Sequence, residues 1–575
     1  MFMKAKHLII AGMALLAFAA CNKEGSIDPI FKGDKAYINV QLAYSSPETK
    51  GTATTPPFYY GTAEENEISN AHFFFYYADG SFAAHASKTL DWKPNGLDDK
   101  TQDNIEKIGG GVVVLEGLKS TVYPAYMSVV LNASDKMVDD LSQKSIVEAQ
   151  AYIVESLATQ NDKVWTNFTM SSTTFDNGEE RTGYFCEKVQ PQNFQETADD
   201  AKADANVVTA YVERLAAKVQ VSYGENLNLN NKEIGSFDVD GTPTTLYFNI
   251  LGWGLNGTAK TSYTFKNIKP TWTAESSSLG FTWNDASNHR SYWAKFPLYD
   301  DSNAYYPLSN EDLADKKKET ALDYISYNGL NVEVGKSAYC RENTNTKNIL
   351  KEVFASAVTS VLLKAQVVDK EGKVVGLVNF DKKLYTFDKY KKKVLDNYFS
   401  NADTDKKIYK KTADNKYEGV NTSDLVEENI ADGNVKLKFI NGTYYTGDGT
   451  DAGTYTKITA DAATALLNGN DAIPATLASY YKDGQMYYDI PIEHLREGAK
   501  YTSANFKTNG LEEGLYGVVR NHYYMLSINS IKNLGKAVYD PEEVIIPSDD
   551  DIKNYYVGAK INILSWKVVE QGVDL

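Results

Sequence analysis

The side chains of this chain that could carry out chemistry are few and lie far apart in the sequence. No two histidines have the helical spacing of a zinc site, and no His-Glu-x-x-His motif occurs. Neither a Gly-x-Ser-x-Gly elbow nor a phosphate-binding loop ending in Gly-Lys-Ser/Thr is found. These patterns predict no catalytic residue, no cofactor and no metal site, so an enzyme is the least favoured class. The histidines are His7, His72, His85, His289, His494 and His522.

Two glycine-rich segments are weaker candidates for binding sites. In Gly447-Asp-Gly-Thr-Asp-Ala-Gly453, Asp448 and Asp451 could offer oxygen ligands to calcium. The segment lacks the EF-hand spacing and the terminal glutamate, so a plain hairpin turn is favoured and calcium binding stays open. The run Gly109-Gly110-Gly111 precedes a strand-like segment and does not open a helix, which argues against a phosphate site.

Composition indicates a large globular protein with several cores. The chain has 575 residues, of which 42% are hydrophobic and 12% aromatic, with 40 Tyr against 7 Trp. That length can hold two or three cores. A net charge of −17 argues against nucleic acid as a partner. Beyond Cys21 the only thiols are Cys186 and Cys340, so we expect two separate buried cysteines rather than a disulfide framework, with a pair between them left open.

The N-terminus reads as an export signal. Lys4 and Lys6 precede the apolar run 8–20, and Cys21 follows Ala19-Ala20 directly. A charged start, a short apolar run and small residues before the break are typical of a secretory signal. The run is too short to span a bilayer as a stable anchor. The position of Cys21 looks like a lipobox, which predicts cleavage before Cys21 and its lipidation; the alternative is an ordinary signal peptide with an incidental cysteine.

Strand patterns outnumber helix patterns along the rest of the chain. Residues 35–45 alternate cleanly and predict a strand with one apolar face, formed by Ile38, Val40, Leu42 and Tyr44. Helical periodicity is clear in residues 137–157. Many short strands with long loops and few helices predict a mainly β fold built from β-sandwiches. The turn-rich stretch 224–235 is the predicted boundary between two domains.

The C-terminus reads as a strand that needs a groove. After the polar break 547–551, the residues from Ala559 onwards have two apolar faces. An apolar strand at a free end pairs with an open sheet edge, in its own domain or in another molecule. The alternative to a free strand is a last strand within its own sheet. One face carries Ile561 and Ile563, and the other carries Leu564, Trp566 and Val568.

Four short motifs, in order and with matching chain ends, resemble the fimbrillin superfamily, the type V pilins. Within it, the chain is most similar to the Mfa-type major subunit of short fimbriae. Each motif alone is weak, but their order makes the set specific. The motifs are Tyr211-Val-Glu-Arg-Leu-Ala-Ala-Lys-Val219, Tyr339-Cys-Arg-Glu-Asn343 with Thr359 to Ala365, Gly517 to Tyr524 (GVVRNHYY) with Ile531 to Gly535, and Ser565 to Val568 with Val573-Asp-Leu575.

The resemblance implies a fold and a domain order. It implies two transthyretin-like β-sandwich domains with a few short helices. The expected order is a lipoprotein signal (1–20), a propeptide with the first strand (21–50), an N-terminal domain (51–235), a C-terminal domain (236–546), and a linker with a donor strand (547–575).

The resemblance also implies a mechanism. A trypsin-like surface protease would cut between Lys50 and Gly51 and remove the self-capping first strand. The donor strand of another copy, formed by the C-terminal residues, would then fill the groove. The implied partners are other copies, anchor and tip subunits, the protease and the outer membrane, with the final location an extracellular fimbria. Alternatives are an anchor or tip subunit, or a surface lipoprotein that binds glycans through Tyr and Trp.

Overall fold

The computed structural model describes residues 35–574 except for a set of gaps. The gaps are residues 46–57, 60, 90–99, 103–104, 117, 119–121, 162–163, 174–184, 225–226, 228–231, 269–274, 277–280, 283, 286–289, 292, 300–320, 451–452, 470–472, 495–512 and 548–565.

Strands make up most of the regular structure in these residues. The strands before residue 224 are β1 (Lys35–Ser45), β2 (Phe58–Tyr59), β3 (Asn70–Tyr76), β4 (Phe82–Thr89), β5 (Lys100–Gln102), β6 (Ile105–Glu116), β7 (Tyr126–Leu131), β8 (Ile153–Val154), β9 (Thr159–Asn161), β10 (Val164–Thr166), β11 (Met170–Ser172), β12 (Glu187–Lys188), β13 (Val207–Arg214) and β14 (Ala217–Tyr223). The middle strands are β15 (Glu233–Val239), β16 (Thr242–Asn256), β17 (Thr258–Ala259), β18 (Ser262–Tyr263), β19 (Glu275–Ser276), β20 (Phe281–Thr282), β21 (Asn284–Asp285), β22 (Arg290–Ser291), β23 (Leu322–Asp323), β24 (Ser337–Cys340), β25 (Ser360–Val368), β26 (Leu377–Phe380) and β27 (Lys383–Tyr385).

The last strands and the helices complete the described elements. The strands are β28 (Ile408–Lys411), β29 (Tyr417–Gly419), β30 (Leu425–Ala431), β31 (Asn434–Phe439), β32 (Thr443–Thr446), β33 (Thr456–Thr459), β34 (Ala478–Tyr481), β35 (Gln485–Pro491), β36 (His522–Ser530), β37 (Lys536–Ala537) and β38 (Trp566–Asp574). The α-helices are Asp135–Leu141, Ile146–Gln150, Ala198–Ala201, Lys347–Ala357, Phe387–Asn401 and Ala460–Asn468.

Three sheets organise the molecule. A nine-stranded sheet has the order β4-β3-β7-β11-β13-β1-β6-β5, with β12 paired to β7. A five-stranded sheet has the order β2-β38-β36-β14-β24. A ten-stranded sheet has the order β30-β31-β34-β26-β27-β15-β16-β25-β35-β37. The first strand of the chain therefore lies inside the first sheet, and the last strand lies inside the second.

The chain passes from the first hydrophobic core to the second within one continuous stretch of backbone. The first core runs along the chain to Ala216 and also takes in Phe265 and Tyr523. The second core begins at Ala217. Strands β13 and β14 are separated only by Leu215 and Ala216, so one chain segment passes from the nine-stranded sheet into the five-stranded sheet. A third core lies around helix Phe387–Asn401 and β31.

The structure confirms the predicted mainly β class with few short helices. The domain limits at residues 50, 235 and 546 stay predictions. The helical stretch 137–157 is divided into two short helices and strand β8. The reason is local: Ser142 ends the first helix, and Ser145 starts the second with a capping box to Glu148.

Candidate functional site

The first strand, β1, fills a slot between two other strands of the nine-stranded sheet. On one side it pairs parallel with β13, from Asn39 opposite Val207 to Tyr44 opposite Val212. On the other side it pairs antiparallel with β6. Its backbone is therefore bonded along both edges, as in the interior of a sheet.

The predicted apolar face of β1 points into the first core. The side chains of Ile38, Val40 and Leu42 are at most 1% exposed. Alternation places them together because successive side chains of a strand point to opposite faces. The backbone of Tyr44 lies in β1, but its side chain is outside the described part of the molecule. Residues 109–111 of β6, which are all glycine, lie opposite Val40 to Leu42.

The last strand, β38, pairs with its own chain in this structure. It runs parallel to β36, from Lys567 opposite His522 to Asp574 opposite Ser530. Its other edge is covered over two residues by β2, where Phe58 lies opposite Lys567. Trp566 and Val568 belong to this strand, whereas Ile561, Ile563 and Leu564 lie outside the described residues. Whether these residues act as a donor strand stays a prediction.

The predicted processing sites lie outside the described residues. These are the lipidation site Cys21 and the cleavage site at Lys50 and Gly51. What the structure does describe is the two strands on either side of segment 46–57. Strand β1 ends at Ser45 in the nine-stranded sheet, and β2 begins at Phe58 beside β38.

Three of the family-like motifs meet in a group of buried ion pairs, which we call the polar joint. Its first pair joins Glu213 at the end of β13 to Lys266, with 2.9 Å between Oε2 and Nζ. Its second pair joins Arg520, just before β36, to Glu342, with 2.7 Å between Nε and Oε2. All four side chains are at most 2% exposed. Ion pairs buried this deeply are costly to break, because a lone charge would be left without water.

A third ion pair ties the segment after β2 to the same place. The Lys218 ammonium lies 2.6 Å from the Glu65 carboxylate, which also accepts a hydrogen bond from the Tyr339 hydroxyl. Burial alone would raise the pKa of Glu65, but Lys218, Tyr339 and Arg214 together lower it. Burial lowers the pKa of Lys218, and the charge of Glu65 opposes that shift. The carboxylate is thus held in its charged form.

Hydrogen bonds from the joint reach both cores. Arg520 donates to the carbonyl oxygens of Tyr263, the last residue of strand β18, and of Thr264, which follows it. Strand β18 pairs with β8 of the N-terminal part. Asn343 donates from its amide nitrogen to the carbonyl oxygens of Gly257 and Ala357. The charged groups of the joint are paired with one another, so the arrangement holds the two parts of the chain together.

The histidines that the structure describes lie in structural contacts. His522 Nδ1 lies 2.8 Å from the carbonyl oxygen of Arg520, and His494 Nδ1 lies 2.8 Å from the Tyr524 hydroxyl. His72 on β3 and His85 on β4 form a pair, with 3.1 Å between Nδ1 and Nε2. Burial, together with His85, lowers the pKa of His72 to about 4.

The remaining candidates from the sequence are the metal ligands, the two cysteines and any membrane-spanning helix. Within the described residues, no three His, Cys, Asp or Glu side chains lie close enough to hold a metal ion. Asp448 accepts hydrogen bonds from the backbone and side chain of Thr450, as in a turn, and Asp451 lies outside the described residues. Cys186 and Cys340 are separate buried thiols, as expected. Among the helices that the structure describes, none is long and apolar enough to cross a membrane.

Sequence reasoning missed the polar joint and the His72–His85 pair. The joint brings together residues 53, 153 and 178 positions apart. The signal that could have found it was the presence of charged residues inside apolar strand motifs, as in Val212-Glu213-Arg214-Leu215. The histidine pair carries no such signal, because its spacing follows from the hairpin register.

Comparison with known proteins gives one family match and several distant structures. Residues 479–572 match the family model described as major fimbrial subunit protein type IV, fimbrillin, C-terminal. None of the curated proteins compared with the chain is significantly similar to it in sequence.

The solved structures have low similarity. A fimbrilin (FimA) from Porphyromonas gingivalis W83 is 12% identical, with a TM-score of 0.35, and the alignment covers 93% of this chain and 97% of that one. A fimbrial assembly protein from Parabacteroides distasonis ATCC 8503 is 14% identical, with a TM-score of 0.26, over 58% and 83%. The tip fimbrial protein Mfa3 from Porphyromonas gingivalis is 9% identical, with a TM-score of 0.25, over 57% and 77%.

The family match falls on the region that holds β35, β36 and most of β38, together with the motif around Arg520. It confirms the resemblance that the sequence motifs indicated: this C-terminal region is similar to the C-terminal part of fimbrillin, the major fimbrial subunit protein.

Proposed function

We propose that this protein is a stalk subunit of an adhesive surface fimbria, which polymerises by protease-triggered donor-strand exchange. The observation that carries the proposal is the position of β1. It lies between β13 and β6, with Ile38, Val40 and Leu42 buried in the core. A strand that precedes a cleavable linker and fills an internal slot is suited to being replaced by a strand from another molecule.

Removal of β1 would leave a groove that needs a new strand. Three large apolar side chains leave the core, at about 1.5–3 kcal/mol each, so the empty groove costs roughly 5–9 kcal/mol. The backbone edges of β13 and β6 also lose their partners, and unpaired strand edges favour strand addition. The C-terminal segment with Ile561, Ile563, Leu564, Trp566 and Val568 is the proposed donor.

The proposed life cycle has three stages. The precursor is exported, lipidated at Cys21 and held at the outer membrane. A trypsin-like protease then cuts between Lys50 and Gly51, which separates β1 and the lipid from the mature subunit. Mature subunits join head to tail, between an anchor subunit and a tip subunit. An anchor would keep its first strand and lipid, and a tip needs no donor strand, so a cleavable linker and a C-terminal strand together favour the stalk.

The proposal is tested by limited trypsin treatment of the purified precursor. We expect cleavage near Lys50, followed by ladders of polymers on unboiled gels. The matched control is Lys50→Gln, which should stay intact at this site and monomeric under the same treatment. Wild-type protein that is trimmed at residue 50 and still remains monomeric at high concentration would contradict the proposal.

A second candidate function is glycan binding, and one observation favours it. Tyr417 on β29 and Tyr445 on β32 are partly exposed and in ring contact. Tyr417 also stacks on the partly exposed Tyr455, which lies just before β33, with 3.7 Å between the ring centroids. Partly exposed aromatic rings present an apolar face beside a polar edge, which suits a sugar. A carbohydrate pull-down with the monomer and with Tyr417→Ala tests this function. Retention of the wild type alone would support it.

A further inference from the structure

We propose that β13, β14 and β36, joined by the polar joint, form the path along which the subunit carries pulling force. This inference rests on the proposed function, because only a subunit within a fibre is pulled at both ends. It goes beyond assembly, because it assigns a mechanical role to residues that neither the groove nor the tail contains.

The first observation is that the successive pairings along this path are all parallel. The strand in the groove, β1, runs parallel to β13 over six residue pairs. The backbone then continues from β13 into β14 through Leu215 and Ala216. Strand β14 runs parallel to β36 over six residue pairs, and β36 runs parallel to β38. In a fibre the tail would leave β36 for the next subunit. One direction therefore connects the groove to the tail through two strand pairs, the covalent step from β13 to β14, and the chain that follows β36.

This arrangement decides how the hydrogen bonds are loaded. A fibre pulls the groove strand at one end of the subunit and the tail at the other. When two parallel strands are pulled from opposite ends, all of their bonds share the load and must break together. When both are pulled from the same end, the bonds break one after another. Strands β14 and β36 are pulled from opposite ends, so their hydrogen bonds share the load.

The second observation is that the polar joint lies where the path leaves one core and enters the next. Glu213 and Lys218 lie on either side of the Leu215–Ala216 step, and Arg520 lies two residues before the start of β36. The backbone N–H of Asn521 also donates to the carbonyl oxygen of Ala216 at 2.8 Å. Buried ion pairs resist separation because each charge would lose its partner without gaining water. The joint therefore holds the two cores together at the point where a pull would separate them.

The experiment is single-molecule force spectroscopy on the unprocessed full-length subunit. Handles are attached at Lys202→Cys and Lys532→Cys, two exposed positions before β13 and after β36. This pair loads β14 and β36 in shear. The matched control attaches the handles at Tyr223→Cys and Lys532→Cys, which loads the same two strands from the same end. Cys21 is replaced by serine in every variant so that it cannot take up a handle. The native Cys186 and Cys340 are buried, so they do not react with the handles.

We expect a rupture force several-fold higher for the shear pair than for the control pair, because the six residue pairs of β14 and β36 share the load in shear. Equal rupture forces in the two geometries would overturn the proposal. Because both measurements use the wild-type core, a variant that fails to fold cannot obscure the result.

The contribution of the joint is tested in the shear geometry with Glu342→Gln, which weakens the pair with Arg520. We expect a lower rupture force, while Lys392→Gln, which removes an exposed pair with Asp396, leaves the force unchanged. A Glu342→Gln force equal to that of the wild type would overturn the role of the joint. Polymer formation is not needed for any of these measurements, so a failure of the proposed assembly would be seen separately, in the trypsin assay.

Discussion

The substitution Ile38→Ala separates the role of β1 in the precursor from its role in the mature subunit. Ile38 is fully buried in the first core, between β13 and β6. Replacing a buried isoleucine with alanine removes apolar contacts and leaves a cavity, which costs about 2–5 kcal/mol. We therefore expect the free energy of unfolding of the precursor to fall by about this amount. Residue 38 precedes Lys50, so protein that is trimmed at that site and separated from its N-terminal fragment no longer contains the substitution.

The assay is urea denaturation of precursor and trimmed protein, each prepared from wild type and variant. The two trimmed samples should be identical, which makes them the internal control for protein concentration and handling. Asn39→Ala is the matched substitution on the opposite face of the same strand, where the side chain is only partly buried. A variant precursor as stable as the wild type would refute the reasoning, since it would show that β1 contributes little to the core.

The remaining predictions concern the polar joint, the histidine pair and the tail. Glu342→Gln should lower the free energy of unfolding by about 3–5 kcal/mol, because it breaks a buried ion pair, whereas Lys392→Gln should change it by less than about 1 kcal/mol; equal effects in a urea melt would be evidence against a buried joint. The pKa of His72 is lowered to about 4, so the unfolded chain binds the proton first as pH falls from about 6.5, and stability should be full above that pH and decline towards pH 4. After allowance for solvent screening the loss is about 1–2 kcal/mol, and His72→Gln should flatten the decline; an unchanged pH slope would contradict this. Deletion of 559–575 should leave a folded protein, with some stability lost because β36 loses its pairing with β38, that cannot act as a donor on unboiled gels; ladders formed by the trimmed deletion variant alone would exclude the tail as donor.

Local patterns predicted the strands better than they predicted the contacts between them. The alternation in residues 35–45 predicted both the bounds of β1 and the buried face with Ile38, Val40 and Leu42. It could not predict which strands lie on either side, because β13 follows more than 160 residues later in the chain. The pairing of Arg520 with Glu342 depends in the same way on a distance in sequence that no local pattern spans.

The partner of the tail strand could not be predicted for a different reason. Its two apolar faces indicated a strand that needs partners, and the sequence left open whether those partners lie in the same molecule. The structure shows β38 beside β36 of its own chain. A strand with two apolar faces can form its backbone hydrogen bonds in a sheet of the same molecule or of another one. The choice depends on the free energies of the two competing pairings, which the sequence pattern does not contain.

The three glycines of β6 that face β1 have a consequence for how the slot recognises a strand. Residues 109–111 lie opposite Val40 to Leu42 and present only backbone on that side. Backbone bonds are the same for every amino acid, so this flank of the slot makes no demand on the size of the side chains beside it. Steric selection of the strand in the slot therefore comes from the core face, where Val40 and Leu42 are buried, and not from β6. At these positions β6 recognises a strand through its backbone alone.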